Sequence, residues 1–323
     1  MTLDFLHAAI GGDLKRVDTV LRGSLDSDVA LIRRIADYIV GGGGKRLRPA
    51  LLLLVARACG DADGHRYPLA AVVEMIHTAT LLHDDVVDES SQRRGRATAN
   101  ATFGNAASVL VGDFLYSRAF QMMVGTGRMR VLEILSEATN VIAEGEVMQL
   151  MHAGDATLTE DGYVEVIRRK TAKLFEASAR LGAVLARPDR AREDAYAGYG
   201  MHLGSAFQIM DDVLDYTGEA GEIGKNLGDD LAEGKMTLPL IRALAIGDEA
   251  DRTTIRHAID GGGRLEDFGP VRAALERTGA IAYARARAAD EARRARDALA
   301  GVAAHPDVGT LLQLATFAAD RTY

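Results

Sequence analysis

Apolar residues recur along most of the chain at spacings of three and four, which is the period of an amphipathic α-helix. Long stretches rich in Ala, Leu, Glu and Arg favour the same structure, and strand-like alternation is nearly absent. The pattern therefore predicts an all-α fold. The predicted helices cover residues 2–11, 25–40, 49–60, 67–88, 104–124, 128–153, 159–186, 190–216, 235–247, 251–261, 267–300 and 305–320.

Composition is consistent with a single folded unit. Of the 323 residues, 48% are apolar, which is enough to bury a large core. No Ser/Pro-rich linker or shift in composition divides the sequence. We therefore expect residues 1–323 to form one all-α helical bundle.

Charge and apolar run lengths exclude some classes of protein. The net charge of -8 argues against a broad nucleic-acid surface. No apolar run approaches the roughly 20 residues needed to span a bilayer, and no targeting segment is recognisable. Cys59 is the only cysteine, so an internal disulfide or a cysteine metal cluster is impossible. These features predict a cytoplasmic protein that has no nucleic-acid partner.

The most informative feature is an acidic motif that occurs twice. LHDDVVD (82–88) and IMDDVLD (209–215) each place AspAspxxAsp on an apolar helical background. One such motif arises easily by chance on a charged helix face, whereas two indicate two halves of one site. The six carboxylates are those of Asp84, Asp85, Asp88, Asp211, Asp212 and Asp215.

The spacing within each motif suits a divalent metal ion. Positions i and i+4 lie on one helix face, so the first and third carboxylates can act together, while the second points about 100° away. Oxygen ligands without His or Cys suit Mg²⁺, which leaves coordination positions for water and phosphate. Crowded carboxylates beside an apolar core repel one another, and we expect Mg²⁺ and a polyphosphate to neutralise them.

Basic residues near both motifs predict a site for anionic substrates. The glycine-rich segment 41–49 carries three cations just before a predicted helix, which is a favourable place for an anion. Taken singly, each cation is more often a surface charge, but their grouping favours a phosphate site. The group consists of Lys45, Arg46, Arg48, Arg93, Arg94, Lys170, Lys225 and Lys235.

These motifs, in this order, resemble the trans-isoprenyl diphosphate synthases, and specifically their long-chain members. The resemblance runs from about residue 25 to the C-terminus, and it rests on several segments. They are GGKRLRP (43–49), HTATLLHDDVVD (77–88), RRG (93–95), KTAKLF (170–175), FQIMDDVLD (207–215) and GKMTLP (234–239). It implies an all-α bundle around a deep central cavity, a homodimer, and a site that holds three Mg²⁺ ions when diphosphate is bound.

The resemblance also implies roles for individual residues. The metal ligands would be Asp84, Asp88 and Asp211, with Asp85, Asp212 and Asp215 in direct or water-mediated support. Isopentenyl diphosphate would bind Lys45, Arg48, His77 and Arg94, and the allylic diphosphate would bind Arg93, Lys170, Thr171, Gln208, Lys225 and Lys235. The family often closes over its substrate with C-terminal basic residues, but here Arg321 is the only one, so its role stays open.

The implied reaction is head-to-tail condensation of isopentenyl diphosphate with an allylic diphosphate, such as farnesyl diphosphate. Ile76, Ala79 and Thr80 lie one to two turns before Asp84, and we expect them to line the tunnel for the growing chain. Ala79 is small where short-product members carry an aromatic residue, so the floor would lie deeper, with Phe120, Met122 or Met123 as candidates. The prediction is a C40 to C50 product, octaprenyl first, for a quinone side chain, released with possible transient membrane contact.

Two alternatives belong to functional classes other than the prenyl synthases. HisAspAsp at 83–85 is compatible with an HD-type metal phosphohydrolase, which would leave the second acidic motif unexplained. A non-catalytic partner subunit that binds prenyl diphosphates is the other, although such subunits often lack one aspartate motif and this chain keeps both.

Overall fold

A computed structural model describes residues 2–61, 64–93, 95–187, 189–218 and 228–321. These residues are predominantly helical, as predicted. The long helices are α1 (Asp4–Ser24), α2 (Ala30–Gly41), α3 (Leu47–Ala58), α4 (Arg66–Val87), α6 (Asn105–Gly125), α7 (Met129–Met151), α9 (Lys173–Leu185) and α10 (Arg190–Thr217). They continue with α12 (Leu238–Ile246), α13 (Glu249–Asp260), α14 (Leu265–Arg277), α15 (Ala280–Ala298) and α16 (Pro306–Asp320), and shorter helices are α5 (Ala99–Phe103), α8 (Glu160–Ile167) and α11 (Asp229–Ala232).

The predicted and observed helices differ in three places. The helix predicted over 2–11 ends close to a break in the backbone, where Ile10 has non-helical angles (φ -138°, ψ 16°), but a second helical stretch that was not predicted continues through Gly11 and Gly12 to Ser24. Its apolar stripe continues past the glycines and packs into the core, which outweighs their low helix propensity. The helix predicted from residue 25 begins only at Ala30. The helix predicted over 267–300 is in fact two helices, because Gly279 adopts a left-handed conformation (φ 66°) between them.

The helix predicted over 159–186 is present, but its backbone hydrogen-bonding pattern changes along its length. Residues Arg168–Ala172 form a π-helical turn between α8 and α9. Such single π turns often occur at functional sites, and this one carries Lys170 and Thr171. A second departure from the prediction is a two-stranded hairpin, β1 (Gln92–Arg93) and β2 (Arg96–Ala97), which follows α4.

Helix α10 lies at the centre of the bundle and packs against α9 and α15. Helix α4 packs mainly against α6, and α3 against α9. Buried side chains form two hydrophobic clusters, one among α1, α3, α4, α6, α7, α9 and α16, and the other among α8, α12, α13, α14 and α15. Helix α10 contributes to both clusters, its first half to one and its second half to the other.

No helix among the described residues is long and apolar enough to span a membrane.

Candidate active site

Both acidic motifs face one cavity of about 400 Å³. Helix α4 contributes Asp84 and Asp88, and α10 contributes Asp211, Asp212 and Asp215. The convergence that the sequence predicted is therefore present. Other predicted site residues that line the cavity are Lys45, Arg48, His77, Thr80, Arg93, Lys170, Thr171, Gln208 and Lys235.

Each carboxylate of the first motif has a cation beside it. The ammonium of Lys170 lies 4.0 Å from Asp84, and that of Lys235 lies 3.2 Å from Asp88. Asp85 is buried and does not line the cavity; its carboxylate pairs with the guanidinium of Arg93 at 2.7 Å. This placement favours Asp85 as an anchor for Arg93, and its predicted metal role stays a prediction.

Burial is the largest influence on the pKa of Asp84 and raises it. The positive charge of Lys170 opposes this rise, and the negative charge of Asp88 adds to it. Any additional positive charge near Asp84 would stabilise its ionised carboxylate.

The second motif gives its three carboxylates different surroundings. The side chain of Asp211 is 45% exposed and accepts a hydrogen bond of 2.5 Å from Arg321. Asp212 is buried and accepts hydrogen bonds from Tyr163 (2.5 Å) and Gln208 (2.7 Å). Burial and the nearby negative charge of Asp230 raise the pKa of Asp212 to about 8. Its carboxylate is therefore held by protein donors, whereas that of Asp211 is the accessible one.

The π-helical turn places two predicted residues at the cavity. Thr171 donates a hydrogen bond of 2.9 Å to the side-chain oxygen of Gln208. Lys170 lies between Asp84 and Glu146, and its ammonium is 2.5 Å from the latter carboxylate. Burial raises the pKa of Glu146 to about 7 despite the charge of Lys170.

Helix α7 approaches this turn closely because residue 145 is glycine. A Cβ at Gly145 would lie 2.6 Å from the backbone nitrogen of Lys170. That distance is shorter than any real carbon contact, so the position requires glycine if the turn is to stay in place.

Lys235 belongs to a second cluster of charges. Its ammonium pairs with Glu233 and lies 3.9 Å from Asp230. Burial by itself would lower the pKa of Lys235, but Asp230, Glu233 and Asp88 together outweigh it and raise the pKa. The lysine therefore keeps its positive charge throughout the physiological range.

Three of the predicted isopentenyl diphosphate residues meet at another part of the wall. A nitrogen of Arg48 is 3.1 Å from Nε2 of His77, and its guanidinium stacks 4.4 Å from the ring centre of Phe175. The ammonium of Lys45 lies 5.8 Å from the ring centre of Phe207. His77, two turns before Asp84 on α4, thus lies beside a cation. Arg94 and Lys225 lie outside the described residues.

The expected tunnel residues are only partly at the cavity. Thr80 lines it, whereas Ile76 and Ala79 are fully buried in the core. Helix geometry explains the difference for Ala79, because five residues at about 100° each put it roughly 140° from Asp84 around α4. Of the floor candidates, none is in the wall: Met123 is buried, Met122 packs at the edge of the core, and Phe120 is exposed on α6. Their effect on product length stays a prediction.

Several residues in the wall carried no usable signal in the sequence. Tyr163, Glu146 and Asp230 resemble ordinary core or surface residues, and Phe207 carries no signal beyond its place at the start of the FQIMDDVLD segment. Arg321, whose role was left open, is fully buried, donates to Asp211 and stacks 3.8 Å from the ring centre of Phe207.

The profile of the polyprenyl synthetase family matches residues 29–276. The chain belongs to the polyprenyl synthetase family. It is 49% identical over 321 residues to the octaprenyl diphosphate synthase of Escherichia coli, with 99% of each chain covered. It is 46% identical over 303 residues to an all-trans-nonaprenyl diphosphate synthase, specific for geranyl diphosphate, of Rhodobacter capsulatus, with 93% of each covered.

Solved structures give the same result. The polyprenyl synthase of Caulobacter crescentus, in complex with calcium and isoprenyl diphosphate, superposes with a TM-score of 0.96 at 44% identity, covering 100% of this chain and 98% of that one. A decaprenyl diphosphate synthase from Rhodobacter capsulatus gives a TM-score of 0.93 at 45% identity, with 100% of both chains covered. The isoprenoid synthase bundle and the trans-prenyltransferase class follow from these matches.

The HD-type alternative has no support at its own residues. His83 is absent from the cavity wall; its Nε2 lies 3.2 Å from the carbonyl oxygen of Val109 and its ring stacks on Tyr116. A histidine that faces α6 in this way performs a structural role.

Proposed function

We propose that this chain is a Mg²⁺-dependent synthase that extends farnesyl diphosphate with isopentenyl diphosphate to all-trans octaprenyl diphosphate. The observation that carries the proposal is the convergence of two AspAspxxAsp helices and at least five cationic side chains on one cavity. The full-length similarity to octaprenyl diphosphate synthases supports the product class. We further propose that residues 1–323 act as one domain, that the enzyme is cytoplasmic and that its product supplies a quinone side chain.

The donor set fits Mg²⁺. Asp84, Asp88, Asp211 and Asp215 offer only oxygen atoms, and Mg²⁺ typically takes one or two carboxylates together with substrate phosphate and water. Among the described residues, no three His, Cys, Asp or Glu side chains are grouped closely enough to hold an ion by themselves, which agrees with ligation shared with a diphosphate. We propose three ions with diphosphate bound; their chemistry would be to neutralise the leaving group. The calcium complex of the Caulobacter relative is consistent with a divalent site.

The cations divide the cavity into two anion sites. We assign Lys45, Arg48 and His77, which lie together on α3, α4 and the loop before α3, to isopentenyl diphosphate. Lys170 and Lys235 already stand beside the first motif, and we assign them with Arg93, Thr171 and Gln208 to the allylic diphosphate. Arg94 is assigned to the first site and Lys225 to the second on the family resemblance.

In the proposed reaction, these residues stabilise negative charge and orient the two substrates. Lys170, Lys235 and Arg93 stabilise the negative charge that grows on the allylic diphosphate as its C–O bond breaks. The Lys45, Arg48 and His77 site holds isopentenyl diphosphate so that its C=C bond faces the resulting carbocation, and the π electrons of that bond form the new C–C bond. One proton is then lost, and the released diphosphate is the acceptor that lies nearest. No side-chain nucleophile is required.

The product must grow along an apolar path beyond the metal site. Thr80 stands in the cavity wall and Ala79 lies next to it in the core, so this level of α4 is the natural entry. Small side chains at this level would let the growing prenyl chain pass. The higher sequence identity to the octaprenyl enzymes supports an octaprenyl product over a nonaprenyl or decaprenyl one.

We also propose that a second copy of the chain covers an apolar surface on α6 and α7. Leu110 and Val124 on α6 are 67% and 63% exposed, and Leu150 and Met151 on α7 are 63% and 75% exposed. Exposed apolar side chains grouped on adjacent helices mark interaction surfaces. The resemblance to a homodimeric family supports a second copy as the partner. We also propose that transient contact with a membrane serves product release.

One incubation tests the proposal. The purified chain, alone, is mixed with labelled isopentenyl diphosphate, Mg²⁺ and either farnesyl or geranyl diphosphate, and the products are analysed by mass. We expect octaprenyl diphosphate from the farnesyl primer, and loss of product with EDTA or in Asp211→Asn. Absence of any elongation by the chain alone would instead favour the partner-subunit alternative.

A further inference from the structure

The buried carboxylate of Asp212 has both oxygens occupied by protein donors. Oδ2 accepts the hydroxyl proton of Tyr163 at 2.5 Å, and Oδ1 accepts a proton from the amide of Gln208 at 2.7 Å. Asp212 and Tyr163 are 3% and 4% exposed. The phenolic hydroxyl is the donor in this pair.

The hydrogen bonds continue from Asp212 to the other side of the site. Because the amide nitrogen of Gln208 donates to Asp212, its oxygen is free to accept the hydroxyl proton of Thr171. A directed chain thus links Tyr163 on α8, Asp212 and Gln208 on α10, and Thr171 on the π-helical turn. Two of its members adjoin functional groups, since Asp212 is next to Asp211 and Thr171, at one end, is next to Lys170.

A buried tyrosine does not need a carboxylate partner. Tyr199, which is also buried and lies on α10 before the second motif, satisfies its hydroxyl with the backbone oxygen of Leu311 at 2.6 Å and not with a carboxylate. Tyr163 instead lines the cavity and contacts the central aspartate of a motif. Each tyrosine loses one donated hydrogen bond on substitution by phenylalanine, so Tyr199 controls for the loss of a buried hydroxyl.

We propose that Tyr163 is a positioning residue of the prenyl transfer site. With Gln208 it fixes Asp212 as an anchor that stays out of the metal's coordination sphere and sets Asp211 in register with Lys170. This inference rests on the proposed function and adds a residue to it. Groups that hydrogen-bond a metal ligand typically change metal affinity or activity by about 10- to 100-fold when removed, and Tyr163 is one residue further from the metal, so the lower end of this range applies.

The test compares Tyr163→Phe with Tyr199→Phe. Binding of Mn²⁺ in the presence of inorganic pyrophosphate is followed by electron paramagnetic resonance, which requires no turnover. We expect about tenfold weaker Mn²⁺ binding in Tyr163→Phe and none of this loss in Tyr199→Phe, since only the first hydroxyl orients a metal-site residue. In the elongation assay, kcat should fall in Tyr163→Phe with little change in the KM for isopentenyl diphosphate. Thermal unfolding of both variants measures the stability that each hydroxyl contributes.

A double variant shows whether the effect passes through Asp212. Added to Asp212→Asn, Tyr163→Phe should produce no further loss of Mn²⁺ affinity, because coupled residues are not additive. The inference is overturned if Tyr163→Phe binds Mn²⁺ like Tyr199→Phe, or if its loss multiplies fully with that of Asp212→Asn. Failure of the proposed function is distinguishable, because the wild-type chain would then make no elongated product even where Mn²⁺ and pyrophosphate bind.

Discussion

Replacing Gly145 with alanine tests whether the close approach of α7 holds the π-helical turn at the active site. The added Cβ would lie 2.6 Å from the nitrogen of Lys170, 2.9 Å from Cβ of Arg169 and 3.0 Å from its carbonyl carbon. Two of these three atoms are backbone, so a side-chain rotation cannot relieve the contact. The turn or α7 must move.

The size of the movement follows from the distances. An ordinary contact begins at 3.4 Å, so the backbone of Lys170 must retreat by roughly 0.8 Å, the difference between 3.4 and 2.6 Å. Misplacement of a positioning group by about 1 Å can cost on the order of 100-fold in rate. Overpacking costs about 1–3 kcal/mol of stability, against about 0.5–1 kcal/mol gained when a helical glycine becomes alanine. We expect a fall in kcat/KM of about 10- to 100-fold and only a modest fall in stability.

The assay is steady-state elongation with the allylic diphosphate varied, accompanied by thermal unfolding. Gly12→Ala is the matched control, because that glycine is also helical but has nothing within 4 Å of its added Cβ. The control should retain full activity and the same or slightly higher melting temperature. Wild-type kcat/KM in a folded Gly145→Ala variant would refute the view that this contact positions Lys170.

Three further predictions follow from other parts of the molecule. Thr80→Phe puts an aromatic ring in the cavity wall and should shorten the products, which mass analysis would show; unchanged products would remove Thr80 from the tunnel. Burial would raise the pKa of Glu291, but its hydrogen bond with His202 and the positive charges nearby outweigh burial and lower it. Above pH 4.5, the unfolding free energy of wild type should therefore exceed that of Glu291→Gln by on the order of 1 kcal/mol. This difference should vanish as the pH falls below that value and the carboxylate is protonated. A difference that does not change with acid would show that the ionised Glu291 does not stabilise the fold. Leu110→Glu puts a charge on the exposed α6 surface and should shift the particle mass in light scattering from two chains to one, whereas a monomeric wild type would end the dimer proposal.

The sequence predicts well what depends on local period and spacing. Helix α4 was expected over 67–88 and runs over Arg66–Val87, and α10 was expected over 190–216 and runs over Arg190–Thr217. The same helical period correctly brings Asp84 and Asp88 to one cavity. The period does not predict the surroundings of residues on the opposite face of the helix. Ala79 lies there, buried in the core, and tertiary packing determines its neighbours.

Partners that come from distant parts of the chain lie beyond such reasoning. Tyr163 is 49 residues from Asp212, and Arg321 is 110 residues from Asp211. Nothing in the residues around either one distinguishes it from a core tyrosine or a surface arginine. Only the arrangement of α8, α10 and α16 brings each side chain to its aspartate.

How the electrostatic repulsion among the crowded carboxylates is offset was also only partly predictable from the sequence. The motif spacing led us to expect that Mg²⁺ and a polyphosphate would neutralise these carboxylates. In the structure, Asp84, Asp85, Asp88 and Asp211 each have a cation of the same chain within 4.0 Å. A metal–diphosphate complex that binds here has to compete with Lys170, Lys235 and Arg321 for these oxygens, but it also brings phosphate oxygens that those cations can bind instead. Such an exchange of partners would keep these four carboxylates compensated with or without the ligand, which helps to explain how they persist at the edge of an apolar core.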